Sequence, residues 1–482
     1  MRTPSLSSLY LVFTAVSHLL SICLLASAEE SPWLGGDLRA QESHRVVNLP
    51  GQPPSPAPIS QYSGFITVDG ESGRALFYWF FVAQTLPSRR PLLLWLNGGP
   101  GCSSVGYGAA VELGPLRVKR DGNGLEFNRY AWNQEANLLF LESPVGVGFS
   151  YTNTSSDLNK LNDELVAEDA YEFLVNWYER FPQYKSHDFY ISGESYAGHY
   201  VPQLAELIYD RNEDSSGKFP RINLRGFIVG NPETEDYYDS KGLLEFAWSH
   251  TVISDELFRL ASRVCDFRHY RWPSECSVAM DRVFRQYREI DIYNIYAPKC
   301  TLTPSSPSAA AAVVEDMVAS RTTRMGAGGY DPCFSAYAEE YFNRAEVRRS
   351  LHADAIAGDN RRWKVCSDSI LRNYNYTVLS VTHIYLKLIA AGMRIWVYSG
   401  DADGRVPVIG TRYWVESLGL PLRAQWRPWY HRGQVGGRFA EYEGLTVATV
   451  RGAGHLVPLN KPRESLVVIN SYLSGLQLPI RR

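Results

Sequence analysis

The chain has 482 residues, 45% of them hydrophobic, with 48 basic against 51 acidic side chains and a net charge of −3 at pH 7. That is apolar enough for a large core, as one large domain with insertions or two to three smaller ones. No basic block points to nucleic acid and no acidic tail points to disorder.

In chain order, Arg2 is the only charge before Glu29, Leu9 to Leu25 is mostly apolar, and Ala26-Ser27-Ala28 offers small residues for cleavage. Residues 1–28 therefore read as a signal peptide. No later stretch reaches the ~18 apolar residues that span a bilayer. The expected product is soluble, and secreted or vacuolar. Residues 29–60 read as a proline-rich loop. Strands follow at 64–68 and 75–82, then a short, continuously apolar strand at 92–96. A run apolar on both faces indicates a strand covered on both sides.

That strand opens into Asn97-Gly98-Gly99-Pro100-Gly101-Cys102-Ser103-Ser104. The loop lacks the G-K-[ST] of a phosphate loop. It suits a turn whose backbone N–H groups face an oxyanion. A strand over 136–142 comes next, then a helix over 163–181. Asp188-Phe189-Tyr190-Ile191 reads as a strand leading into Gly193-Glu194-Ser195-Tyr196-Ala197, with helical spacing after it. A serine at a strand-to-helix turn between small residues has the layout of a nucleophile elbow. Bulky groups at positions 193 and 197 would clash across that turn. Strands at 225–230, 393–400 and 445–450 complete a pattern that predicts a doubly wound, mostly parallel sheet of the α/β class. Between about 232 and 380 the composition shifts to Tyr, Arg and Asp, which reads as a mainly helical insertion. It contains a low-complexity, protease-accessible linker at about 303–329. Residues 29–482 otherwise read as a single domain.

Seven cysteines are present, one of them (Cys23) in the signal peptide. The other six, in an oxidising compartment and without any C-x-x-C pair, predict disulfides rather than a metal site. Asn153-Thr154-Ser155 and Asn375-Tyr376-Thr377 are N-glycosylation acceptors. No metal, cofactor, nucleic-acid or membrane partner is expected. A homodimer is compatible with the sequence.

A serine becomes nucleophilic when a base takes its proton, and the base works best when an acid holds its tautomer. Three post-strand loops carry such groups in the order Ser195, then Asp401 or Asp403, then His455. Spacing alone leaves the choice of acid open.

With those loops the chain resembles the serine carboxypeptidase family, and more narrowly its plant serine carboxypeptidase-like, carboxypeptidase II-like branch. The resemblance rests on Leu96–Ser104, Glu142–Tyr151, Gly193–Pro202, Ser399–Val408 and Arg451–Pro458, and spans about residues 46–480. It implies an α/β-hydrolase fold and the release of C-terminal residues from peptides and proteins. It assigns Ser195 as nucleophile, His455 as base and Asp403 as the orienting acid. Gly99 and Tyr196 match the oxyanion-hole donors, and Asn97, Gly98, Glu112 and Glu194 the group that binds the substrate carboxylate. It also implies the bridges Cys102–Cys366, Cys265–Cys276 and Cys300–Cys333, and cleavage within the linker. Some relatives transfer acyl groups from sugar esters, but those carry aspartate where this chain has Glu194. A catalytically silent signalling protein is the remaining class. Crowding of the two glutamates predicts that one holds a proton and that binding is best in acid.

Overall fold

The architecture follows from one alternating pattern. In β1 (Gln61–Asp69), β2 (Arg74–Phe81) and β3 (Leu92–Asn97), successive side chains face opposite sides of the sheet. Tyr78, Phe80, Leu92 and Leu94 join one core; Phe77, Trp79, Leu93 and Trp95 join the other. Both faces are apolar because both are covered by helices. This computed structural model describes residues 38–55, 59–269, 271–299, 332–354 and 361–482. The signal peptide, Cys300 and the 303–329 linker lie outside the described residues.

Two short strands, β4 (Leu116–Val118) and β5 (Leu125–Phe127), pair apart from the main sheet. That sheet adds β6 (Asn137–Leu141), β7 (Phe189–Glu194), β8 (Leu224–Gly230), β9 (Arg394–Gly400), β10 (Leu422–His431), β11 (Gln434–Tyr442) and β12 (Leu445–Val450). The order is β1-β2-β6-β3-β7-β8-β9-β12-β11-β10. The run from β6 to β12 is parallel throughout, and the outer pairs are antiparallel. The sequence reading places no strand between 400 and 445, yet the β10–β11 hairpin lies there, turning at Arg432 and Gly433. Its outer strand is largely exposed and carries Pro428, as edge strands can. It therefore shows no continuous apolar signal. A short helix at Leu38–Glu42 likewise interrupts the expected N-terminal loop.

Register decides where chemistry can occur. Asn97 pairs with Glu194, Glu194 with Gly230, and Gly230 with Tyr398. The parallel strands thus end level, and the loops beyond them share one rim, the usual place for a site in such sheets. Between β8 and β9 the described residues form helices and no strand, including Asp236–Ser249, Asp255–Val264 and Ser274–Gln286. These build their own small core around Leu243, Met280 and Phe284.

The helix Asp163–Arg180 shows what fixes a covering element. Asn162 caps it by accepting from the Leu165 N–H at 2.9 Å, and Asp163 and Glu164 suit its positive end. Its apolar stripe puts Trp177 against Phe80, Phe181 and Tyr184 at 4.6–5.7 Å between ring centres. Most helix stability in proteins comes from such packing. Trp177→Ala should therefore cost about 3–5 kcal/mol, and Asn162→Ala only about 1 kcal/mol. Thermal melts at one fixed scan rate check this, and equal losses would contradict a packing-held helix.

Candidate active site

Ser195 sits directly after β7 with φ 63°, a left-handed conformation rare for a residue with a Cβ. Three backbone bonds hold it there. Its N–H donates to Gly230 O at 3.1 Å, and its carbonyl accepts from Gly198 at 2.9 Å and Glu233 at 3.0 Å. The helix Ala197–Glu213 starts at once. A Cβ on Gly193 would lie 2.8 Å from the Ala197 Cβ and 2.5 Å from Leu96 O, so small residues are required across this turn. The strand-turn-helix geometry of a nucleophile elbow is therefore present.

The next rim loops carry Asp403 and His455, the expected acid and base. His455 Nδ1 lies 2.7 Å from Asp403 Oδ2, and both residues are buried. The Arg405 and Val406 N–H groups donate to Asp403 Oδ1 at 2.7 and 3.2 Å. Asp401 instead accepts from the Gly452 N–H at 2.6 Å. The alternative that spacing leaves open is thus closed by geometry: Asp403 faces the histidine. The His455 backbone N–H donates to Tyr293 O at 2.6 Å, and the two rings meet edge-on at 5.2 Å. The helical insertion therefore helps to hold the base. His199 is stacked on Tyr196, His250 on Phe246, and His44 lies against Tyr78 and Arg180.

The loop after β3 presses on the elbow. A Cβ on Gly98 would stand 2.3 Å from the Tyr196 N. Among the loop and turn bonds of the described residues, the N–H groups of Gly99 and Tyr196 donate to no carbonyl. The disulfide Cys102–Cys366 ties this loop to the insertion, and Cys265–Cys276 closes a loop within the insertion. Cys333 is described and disulfide-bonded, whereas Cys300, its expected partner, is outside the described residues. Asn153 and Asn375 are both exposed.

Beside the elbow lies a buried acidic pair. Glu194 ends β7; Glu112 ends a π-helix, Val105–Glu112, in which Leu113 N–H reaches back to Gly108 O. Asn97 stands between them. Its Oδ1 accepts from Trp95 Nε1 at 2.7 Å and from the Gly108 N–H at 3.1 Å. That orients its Nδ2 toward Glu112 Oε1 at 3.2 Å and Glu194 Oε1 at 2.9 Å. Both Oε2 atoms are buried and lack a partner while both groups are ionised. A proton on one supplies the missing hydrogen bond to the other. Burial pushes the Glu112 carboxyl up to about 7. Burial, and then the neighbouring Glu112 charge, push Glu194 well above the usual carboxylate range.

Three braces escape sequence reasoning. Glu142 accepts from Ser103 Oγ at 2.5 Å, Phe149 N–H at 2.6 Å and Trp363 Nε1 at 3.2 Å, joining the Gly-rich loop to the 143–150 turn and the insertion. Burial raises its carboxyl to about 7. Asp163 accepts from the Tyr196 and Tyr374 hydroxyls at 2.9 and 3.1 Å, so the side chain of Tyr196 is anchored as well as its backbone. Asn231 donates to Asp403 Oδ2 at 2.8 Å. For Glu142 and Asn231 the only available signal was a polar residue placed just after a strand, and for Asp163 an acid in the first turn of a helix, both of which many segments share. Among the described residues no cluster of metal-ligating side chains occurs, and no helix is long and apolar enough to cross a membrane.

A family model described as serine carboxypeptidase matches residues 50–475. Serine carboxypeptidase-like 26 of Oryza sativa subsp. japonica is 61% identical over 446 residues, covering 92% of each chain. Serine carboxypeptidase-like 33 of Arabidopsis thaliana is 61% identical over 452 residues, covering 92% of this chain and 93% of the relative. Among solved structures, Kex1(delta)p, a prohormone-processing carboxypeptidase from Saccharomyces cerevisiae, aligns with a TM-score of 0.74 at 25% identity. That alignment covers 90% of this chain and 96% of the yeast chain. The mixed, mostly parallel sheet flanked by helices is accordingly the α/β-hydrolase fold, and the chain belongs to the serine carboxypeptidase family.

Proposed function

We propose that the protein is a serine-type carboxypeptidase that releases C-terminal residues from peptides and proteins through an acyl-enzyme on Ser195. The observation that carries this reading is the buried Glu112–Glu194 pair, of which Glu194 directly precedes Ser195 in the chain. A generic hydrolase has no use for two crowded carboxyls there. A protonated carboxyl of this pair, which Asn97 Nδ2 holds in place, can donate a hydrogen bond to a free terminal carboxylate. The Gly98 backbone lines the same loop.

The proposed chemistry runs on this chain's own groups. His455 takes the Ser195 hydroxyl proton as Oγ bonds to the scissile carbonyl carbon. Asp403 keeps Nδ1 protonated, which leaves Nε2 as the base, and steadies the imidazolium that forms. The carbonyl oxygen becomes an oxyanion facing the N–H groups of Gly99 and Tyr196. The intermediate collapses, the C–N bond breaks, and the imidazolium gives its proton to the leaving amine. Water, deprotonated by His455, then releases the acyl group. Disulfides and the N-terminal segment support secretion or a vacuolar location, and the insertion and excised linker remain part of the proposal.

Two results test this. Ser195→Ala should lower kcat for an N-blocked dipeptide by at least about 10³-fold and abolish labelling by a fluorophosphonate. Efficient transfer from a glucose ester in place of hydrolysis would instead favour the acyltransferase reading, and an unlabelled wild-type protein a silent one. The second result is a pH dependence. Below about 7 the pair keeps its protons and attracts the substrate carboxylate; as Glu112 ionises, attraction turns to repulsion. KM should therefore stay low in acid and rise as pH passes about 7. In the Glu112→Gln/Glu194→Gln double variant that rise should vanish, because amides donate at every pH. A wild-type KM that is flat from acid through mildly alkaline pH would contradict the proposed role of the pair.

A further inference from the structure

We infer that Asn231 is a positioning residue of the catalytic apparatus, holding the Asp403 carboxylate in the plane that receives His455; this rests on the triad proposed above. Asn231 is fully buried and immediately follows β8, with φ 41°. Asparagine tolerates that left-handed backbone better than most residues. Its N–H donates to Tyr398 O at 2.8 Å, which fixes its backbone to β9. Its Oδ1 accepts from the Gly400 N–H at 3.2 Å, so the amide is oriented and its Nδ2 must point at Asp403. Nδ2 reaches Asp403 Oδ2 at 2.8 Å, the same oxygen that faces His455 Nδ1 at 2.7 Å.

The four donors divide evenly. Oδ1 takes the Arg405 and Val406 N–H groups, and Oδ2 takes His455 and Asn231. A carboxylate offers about four lone-pair sites, so rotation about its Cβ–Cγ bond would break several hydrogen bonds at once. Without Asn231, Oδ2 would be held by the histidine alone. The residue before it, Gly230, accepts the Ser195 N–H. The dipeptide Gly230-Asn231 thus spans the nucleophile and the acid from a single strand end. The charged and titratable groups that bear on Asp403 are His455, Arg405 (paired with Glu233 at 2.7 Å), Glu194 on β7 and Tyr287 from the insertion. In such company a neutral amide donates without adding a further negative charge.

The test compares Asn231→Gly, Asn231→Asp and Ser195→Ala in the full mature protein, with kcat and KM for an N-blocked dipeptide measured across pH. Glycine accepts the left-handed backbone but removes the donor. It should leave KM within about twofold and lower kcat about 10- to 100-fold, the weight of one hydrogen bond to a charged group. Aspartate can donate only while protonated. Its kcat relative to wild type should be highest at the acid end and fall as pH rises, whereas the glycine ratio stays flat. A glycine variant with kcat within twofold of wild type would overturn the inference. So would an aspartate ratio that does not fall with pH, and this arm decides alone if the glycine variant does not fold. If Ser195→Ala retains activity, the triad reading itself fails, a result distinct from either of these.

Discussion

The exopeptidase reading proposed for this protein depends on the protonation of two carboxyls that cannot both ionise cheaply. Glu112 and Glu194 are buried together, and bulk water cannot screen them. Asn97 gives one oxygen of each a hydrogen bond, and the other oxygen of each is buried. This costly arrangement stands at the end of β7, beside Ser195, the proposed nucleophile. Glu194 and Ser195 are adjacent in sequence, so in the proposed reading the residue that grips one end of a substrate immediately precedes the one that cuts it.

The second constraint is mechanical. Ser195 adopts an unfavourable backbone conformation, and such strain persists only where its surroundings over-determine it. Here the strand ends do so. Gly230 receives the Ser195 N–H, Glu233 binds its carbonyl, and Arg405 pairs with Glu233 while its own N–H holds Asp403. Ser195 and Asp403 are therefore linked through β8 and its following loop. The insertion closes the arrangement from above through Tyr293, and the Cys102–Cys366 bridge fastens it to the Gly-rich loop.

These two constraints explain what was legible in the sequence. The central strands were visible because burial on both faces leaves continuous apolar runs, as in Leu92–Leu96. The elbow was visible because the turn admits only small residues at 193 and 197. Spacing did not separate the two acids, since Asp401 and Asp403 occupy the same loop; the resemblance favoured Asp403, and the structure turns Asp401 to Gly452 and Asp403 to His455. Glu112 reaches the site through a π-helical turn whose residues are all buried, and no periodicity marks such a turn. Its assignment came from resemblance alone. Asn231, Glu142 and Asp163 act by bracing other residues, and bracing depends on contacts between segments far apart in the chain. The β10–β11 hairpin was missed for a different reason: an exposed edge strand need not be apolar.

The central claim concerns the protonation of this pair, and it can be counted directly. A carboxylate ligand that binds the protonated pair must draw a proton from solution wherever the free pair has already lost one. Calorimetric titration of the Ser195→Ala protein with an N-blocked dipeptide, repeated in buffers of different ionisation enthalpy, gives the number of protons taken up. The account predicts almost none in acid, a climb toward about one as pH passes the Glu112 midpoint near 7, and loss of that climb when both glutamates are replaced by glutamine. Binding with no proton uptake at any pH, or uptake that persists in the glutamine variant, would contradict it.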